Sequence, residues 1–468
     1  MTEQEIEDLL TRFTNALRFE QPLDMTLPAD AALYVKGLHG GKDAVSRLRR
    51  DIERAEGGGV FLFTGQPGSG KSTELRRLQR DLLGRGSKVY YCDIEEWLNL
   101  NAPVTLSSFL VALLSSWVDQ LGVLQAQRSP AERLIDFFRT TRLVPESVKL
   151  DAGAGSIKSQ IQFALQSDES FRSELEANLK RQLSSIVAQA HRFVAELKGE
   201  LCPSGEKCVI LADSIEKIRG YGDAASQVYE SIERLFVGEG KALRLPDVHV
   251  VYSVSPFLLE QSANLPSALG TGYIVNMPSV HVFNERSRQV DVDGVGAVIS
   301  LLEARFPSWR QVFTEPQLRR IAQFTGGDLR DFLRAIRVAL SDDIESLPVA
   351  DPTVDYAVAH VGPNRNILAE HVVWMARLDR SHDAELAGDI DARVLQRYLA
   401  TKHVLAYLNG ETWYAVHPLL SDWVAQRAEA VGATAAAAAA AALPPAEPPA
   451  EPPATPPATP PATPPAAP

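Results

Sequence analysis

Apolar residues recur along the chain in two rhythms. Over residues 3–19, Ile6, Leu9, Leu10, Phe13 and Leu17 keep the three- and four-residue spacing of one helix face, which predicts an N-terminal helix. Ala32-Leu-Tyr-Val-Lys-Gly-Leu then leads to a second helix expected over about 41–55. Five short, almost wholly apolar runs follow, at 60–64, 88–93, 208–213, 248–253 and 273–277. Strands covered on both faces of a parallel sheet read this way. Helical patterns separate the runs, so the expected fold class is α/β, a doubly wound parallel sheet.

The gap between the second and third runs is long. Residues 104–200 are helical in pattern, as in Phe171–Lys180 and Phe193–Leu197, around a loop at Ala152-Gly-Ala-Gly-Ser. This reads as a helical insertion, either a partner-binding surface or a plain scaffold. Residues 290–343 are helical again. Residues 365–428 are helical until His403–His417, where Asn409-Gly410 between two apolar runs predicts a hairpin. Helices ending in a hairpin suggest a winged helix. From Ala433 an alanine run gives way to Pro-Pro-Ala-Glu and Pro-Pro-Ala-Thr repeats, which cannot bury a core and are expected to be disordered with polyproline character. The expected units are therefore 1–285 (with the insertion at about 104–200), a helical lid over 286–350, a winged helix over 351–430 and a tail over 431–468.

The first apolar run leads straight into Gly65-Gln66-Pro67-Gly68-Ser69-Gly70-Lys71-Ser72-Thr73. Gly65, Gly70, Lys71 and Ser72 meet the spacing of a phosphate-binding loop, whose glycines let backbone N–H groups turn toward an anion. The following helix aims its positive end at the same point. ATP with Mg²⁺ is the expected ligand: Lys71 reaches the β- and γ-phosphates and the Ser72 hydroxyl holds the metal. A second acidic metal ligand is expected at Asp213, where the run Val209-Ile-Leu-Ala ends at its carboxyl side. Tyr34 and Val35, just ahead of the loop, pack either on the base or in the core. Ser253, near the end of the fourth run, is placed between water and γ-phosphate. Arg330, in Gly326-Gly327-Asp328-Leu329-Arg330, either reaches the γ-phosphate or sits in a surface salt bridge. Arg286 and Arg288 read as solvated loop charge or as a finger toward a neighbouring subunit.

Charge and composition narrow the function. A net charge of −12 argues against bulk affinity for nucleic acid or anionic lipid, though a local basic face remains open. Cys92, Cys202 and Cys208 make no C-x-x-C and no metal spacing, and read as free thiols. No eighteen consecutive residues are apolar, and Met1–Asp8 is acidic and polar, unlike a secretory signal. A cytoplasmic protein without membrane contact is expected.

Together these residues resemble the AAA+/STAND division of P-loop ATPases. Gly65–Ser72 is similar to its Walker A loop and Val209–Asp213 to its Walker B strand. Asp213-Ser-Ile-Glu-Lys is similar to a run of STAND and KAP ATPases, and Thr325–Arg330 to the sensor-2 helix of origin-recognition-type AAA+ proteins. In that family a glutamate usually follows the Walker B aspartate and polarises the attacking water. Here Ser214 holds the position, so Glu216, Glu95 or Glu96 must substitute, or turnover is slow or partner-activated. The resemblance implies an ATP-driven switch in signalling, regulation or antiviral defence, with a separate effector protein and nucleotide-dependent self-assembly. Two other readings stand beside it. One is a DNA-binding ATPase using Arg393, Arg397 and Lys402 on phosphates, although the wing Leu408–Trp413 carries no basic residue. The other is a nucleotide-binding scaffold with little turnover.

Overall fold

Successive side chains of a strand point to opposite faces, and here that alternation separates two layers of core. The computed structural model describes residues 1–40, 43–121, 128–144, 157–220, 225–256, 258, 262, 264–271, 274–284, 286–342, 344, 346–384, 387–388, 390–408 and 411–441. Strands β1 (Gly59–Thr64), β2 (Lys88–Asp93), β3 (Cys208–Asp213), β4 (Val248–Val254) and β5 (Ile274–Asn276) form one parallel sheet in the order β2-β3-β4-β1-β5. All five expected strands are present.

In chain order the helices are α1 (Glu3–Leu17), α2 (Pro28–Ala31), α3 (Ala44–Arg54), α4 (Lys71–Leu83), α5 (Leu106–Asp119), α6 (Pro130–Thr141), α7 (Ile157–Ser167), α8 (Glu169–Leu201), α9 (Ala225–Glu233) and α10 (Leu265–Leu269). They continue as α11 (Val292–Arg305), α12 (Glu315–Phe324), α13 (Leu329–Leu340), α14 (Asp351–Val361), α15 (Ala369–Ser381) and α16 (Ala392–Ala400). The hairpin strands β6 (Val404–Tyr407) and β7 (Trp413–Val416) and helix α17 (Ser421–Ala441) follow.

Phe61 and Phe63 of β1 join Leu211 and Val251 under α3 and α4, against Leu48, Ile52, Leu75 and Leu78. Val60 and Leu62 face the other way, with Ile210, Val250 and Tyr252, into the helical insertion. Helix α5 is buried on every side from Leu106 to Val118, as a helix must be that lies between a sheet and a further helical layer. Its side chains share one cluster with the sheet and with α6 to α8, so α5 ties the insertion to the sheet. The expected loop at 152–156 lies outside the described residues.

The N-terminal helix packs elsewhere than the expected 1–285 unit implies. Leu9, Leu10, Phe13 and Leu17 complete the core of α11 to α14, where Phe13 stacks on Phe306 with ring centroids 4.2 Å apart. An amphipathic stripe of four large residues needs an apolar partner, and the sheet faces are already covered by α3, α4 and α5. The last unit surrounds its own cluster, including Trp374, Met375, Tyr398, Val404, Val416 and Val424. Tyr407 and Trp413 of the hairpin, stacked at 4.2 Å, instead join the lid core. The hairpin tip Asn409-Gly410 lies outside the described residues. The alanine run is helical as far as Ala441, beyond the tail boundary expected at 431, because alanine costs a helix least. Residues 442–468 lie outside the described residues. Among the described residues no helix is long and apolar enough to cross a membrane.

Candidate nucleotide site

β1 delivers the chain to the loop Gly65–Gly70, and α4 begins at Lys71. Gly68 has φ 77°, and a Cβ there would fall 2.0 Å from the carboxylate of Asp328. Only glycine permits that approach, and through it the lid touches the loop: the Gly68 carbonyl accepts the Leu329 N–H at 3.1 Å. Gly327, at φ 83°, turns the chain into α13, whose N-cap is Asp328. Around the loop lies a cleft of about 1100 Å³, partly open to solvent. It is lined by Pro67–Glu74, by Tyr34 and Val35, by Glu216, and by Leu301, Arg305 and Arg330 of the lid.

Three strand ends meet at the Lys71 ammonium. Its Nζ donates to the Gln66 carbonyl at 3.2 Å and pairs with Glu216 Oε1 at 3.1 Å. Glu216 Oε2 accepts the Ser253 hydroxyl at 2.5 Å. Ser214, in the left-handed region at φ 68°, reverses the chain after β3, and the short turn Ile215–Lys217 brings Glu216 back over the loop. Burial pushes the Glu216 carboxyl up. The Lys71 charge and the Ser253 hydrogen bond outweigh it and hold the group below the ordinary carboxylate value.

Asp213 is fully buried at the end of β3, beneath the residues that line the cleft. Its Oδ2 accepts the Tyr91 hydroxyl from β2. Burial first, then the neighbouring Asp213 and Asp93, raise Tyr91 well above its ordinary value, so the phenol keeps its proton. Among the described residues, Asp213 Oδ1 and Thr64 Oγ1 are buried without a hydrogen-bond partner. Buried polar atoms are rarely left unpaired, and these two sit at the carboxyl edge of the sheet, where ligands of open α/β sheets gather. A carboxylate oxygen and the Ser72 hydroxyl beside a phosphate loop are hard oxygen donors of the kind Mg²⁺ takes together with phosphate. The residues present therefore fit the metal.

The other expected site residues fall into two groups. Tyr34 and Val35 line the cleft, and the Tyr34 hydroxyl donates to Glu74 Oε1 at 2.7 Å. Thr73 Oγ1 accepts the Leu23 N–H at 3.3 Å, tying the N-terminal segment across α4. Arg330 is exposed at the cleft and, among the described residues, pairs with no carboxylate. Glu95 and Glu96 are taken up elsewhere, by Lys217 and by Lys158. Arg288 lies over the Trp413 ring, 4.2 Å from its centroid, and so is a hairpin contact. Arg393 pairs with Glu230 at 2.8 Å, and Lys402 reaches Asp328 at 2.6 Å and Asp331 at 2.5 Å. Of the three basic residues offered for DNA phosphates, Lys402 is thus held by buried carboxylates, while Arg393 stands exposed in a surface pair. Tyr91 and the Lys402–Asp328 contact were not legible from spacing.

No family model matches the sequence, and no curated protein is similar to it. Among solved structures, the chain is similar to the Aeropyrum pernix ORC2 protein in its ADP form, at 12% identity over 90% of this chain and 98% of that one, with a TM-score of 0.43. It is also similar to the Walker-type ATPase PABY2304 of Pyrococcus abyssi, at 12% over 83% and 96%, TM-score 0.41. Cdc6p from Pyrobaculum aerophilum follows at 13% over 87% and 98%, TM-score 0.37. Likeness at this level assigns neither family nor activity.

Proposed function

We propose that this protein binds and hydrolyses ATP with Mg²⁺, and that its nucleotide state governs how the lid and the C-terminal unit dock on the sheet. The observation that carries the reading is the convergence of Lys71, Glu216 and Ser253, from the ends of β1, β3 and β4, on one cleft. The loop Gly65–Thr73 cradles the phosphates with its backbone N–H groups and the start of α4. Tyr34 and Val35 bound the base. Ser72 and Asp213 would hold the metal, which would supply charge neutralisation for the phosphates.

Lys71 must leave Glu216 to meet a phosphate. Glu216 Oε1 is then free to take a proton from water while Ser253 keeps Oε2 in place. The water oxygen bonds to the γ-phosphorus, the bond to the β-phosphate oxygen breaks, and ADP and phosphate leave. Separated from the lysine charge, Glu216 rises from its lowered pKa toward a range better suited to a base. Arg330, exposed at the cleft and without a carboxylate partner among the described residues, would meet the developing charge on the γ-phosphate.

The switch reading rests on a chain of contacts. Gly68 bonds Leu329, Asp328 packs on Gly68, and Lys402 of the C-terminal unit holds Asp328. A ligand that moves the loop acts on that unit through these groups, and a separate effector protein or self-assembly would read the change. Helices α15 to α17 and the hairpin are consistent with a winged helix in a regulatory position, because Lys402 is taken up by Asp328 and Asp331. The test is phosphate release by the wild type and by Lys71→Ala at several protein concentrations. Lys71-dependent turnover supports the reading, and a rise per subunit with concentration adds assembly. Turnover equal to that of Lys71→Ala leaves only a binding scaffold.

A further inference from the structure

One buried side chain holds the Asp213 carboxylate yet touches nothing in the cleft. Tyr91 stands in β2, and its hydroxyl donates to Asp213 Oδ2 on the neighbouring strand. The register sets up the meeting. Asp93 is opposite Asp213 and Tyr91 opposite Leu211, so Tyr91 projects from the same face one step earlier and its long side chain spans the diagonal. The ring is clamped on its other side by Arg76, whose guanidinium carbon lies 3.5 Å from the ring centroid. Arg76 belongs to α4, the helix that Lys71 opens. With Oδ2 tied, Oδ1 is the Asp213 oxygen that has no hydrogen-bond partner among the described residues. A metal-side carboxylate with one oxygen fixed by a neutral donor and the other left open is oriented in the way outer partners orient metal ligands.

We propose that Tyr91 is a positioning residue for Mg²⁺–nucleotide binding, fixing the Asp213 carboxylate so that Oδ1 is presented to the metal. The inference rests on the nucleotide reading above. It differs from a packing role in one respect: a ring that merely fills the core affects nucleotide binding with and without Mg²⁺ alike, whereas a carboxylate-positioning hydroxyl acts only on the metal-dependent part.

The experiment measures the affinity of a fluorescent ATP analogue for the full chain, first in EDTA and then over rising Mg²⁺, for the wild type and Tyr91→Phe. The expected result is an affinity in EDTA unchanged within about twofold, and a half-maximal Mg²⁺ concentration raised about tenfold. A Tyr91→Phe protein with the wild-type Mg²⁺ dependence overturns the proposal, and so does an equal loss in EDTA and in Mg²⁺. A wild type that binds the analogue in neither condition removes the nucleotide reading and the proposal with it, which separates the two failures. Should Tyr91→Phe not fold, Arg76→Gln loosens the ring from the α4 side. It is expected to shift the Mg²⁺ midpoint in the same direction by about threefold, and an unshifted midpoint overturns the proposal equally.

Discussion

Lys402→Ala is the substitution whose effect the structure lets one work out most fully. Lys402 lies between α16 and β6 at φ 60°, with its ammonium 2.6 Å from Asp328 and 2.5 Å from Asp331. The Asp328 and Asp331 side chains are 7% and 10% exposed and that of Lys402 28%. Removing the lysine leaves two buried carboxylates facing one another. Breaking a buried pair by deleting one partner costs about 3–5 kcal/mol, and the partial exposure of the lysine places the expected loss near the lower end, about 3 kcal/mol. The pH dependence has a definite sign. Burial, then Asp328, already raise the Asp331 carboxyl above its ordinary value despite Lys402. Without the lysine it rises further. The folded variant then holds a proton that the unfolded chain has released, so its stability falls as pH climbs from the ordinary aspartate range through the raised value. The defect is therefore larger at pH 7.5 than at pH 5. Urea unfolding followed by tryptophan fluorescence measures it, because Trp413 sits where the hairpin meets the lid. Adding Asp331→Asn to Lys402→Ala removes the facing charge and should recover a good part of the loss. An unchanged midpoint at both pH values, or a double variant weaker than Lys402→Ala, would refute the reasoning.

The remaining predictions concern the cleft. Glu216→Gln keeps the shape but removes the base, and turnover should fall about 100-fold or more, while ATP affinity holds or tightens because a buried negative charge beside Lys71 is gone. Phosphate release and equilibrium binding on one preparation separate the two effects, and full turnover would return the base to another group. Arg330→Ala should change stability by no more than about 0.5 kcal/mol, since the side chain is exposed, yet lower turnover. A variant with wild-type turnover would assign Arg330 to the surface.

What was legible in the sequence was local. The strand into Gly65–Thr73 and the apolar run ending in Asp213 are periodic signals that need no knowledge of neighbours, and each strand lies within a residue or so of its expected limits. The order β2-β3-β4-β1-β5, the backbone turns and the packing of remote segments are not periodic signals. Glu216 was one of three candidate bases, and only the left-handed Ser214 and the turn after β3 set it apart from Glu95 and Glu96. Tyr91 read as one apolar residue in Lys-Val-Tyr-Tyr-Cys-Asp. Its tie to Asp213 becomes visible once β2 and β3 are known to pair with Asp93 opposite Asp213. The stripe of α1 predicted a buried face correctly without naming its partner, because amphipathicity records that a face is covered and not by what. Lys402 read as a phosphate contact on a recognition helix for the same reason: a lone lysine carries no mark of the two aspartates, some seventy residues earlier in the chain, that it meets.

Under the proposed switch reading, any coupling between loop and C-terminal unit is reciprocal on energetic grounds. Gly68 is joined to Leu329, Asp328 to Gly68 and Lys402 to Asp328, so the phosphate loop, lid and last unit share a continuous set of contacts. A ligand moves such an equilibrium only by its difference in affinity for the two arrangements. If ATP favours the undocked arrangement by some factor, undocking raises ATP affinity by the same factor. The pairing of Lys71 with Glu216 gives that difference a physical source. In the arrangement described here the lysine is already satisfied by a carboxylate held by Ser253. A phosphate must compete with that pair, and an arrangement that draws Glu216 away from Lys71 binds phosphate better. In the proposed reading, the carboxylate that pairs with Lys71 is thus also the base that takes the proton of the attacking water once the pair is broken, which would tie nucleotide entry and hydrolysis to one group.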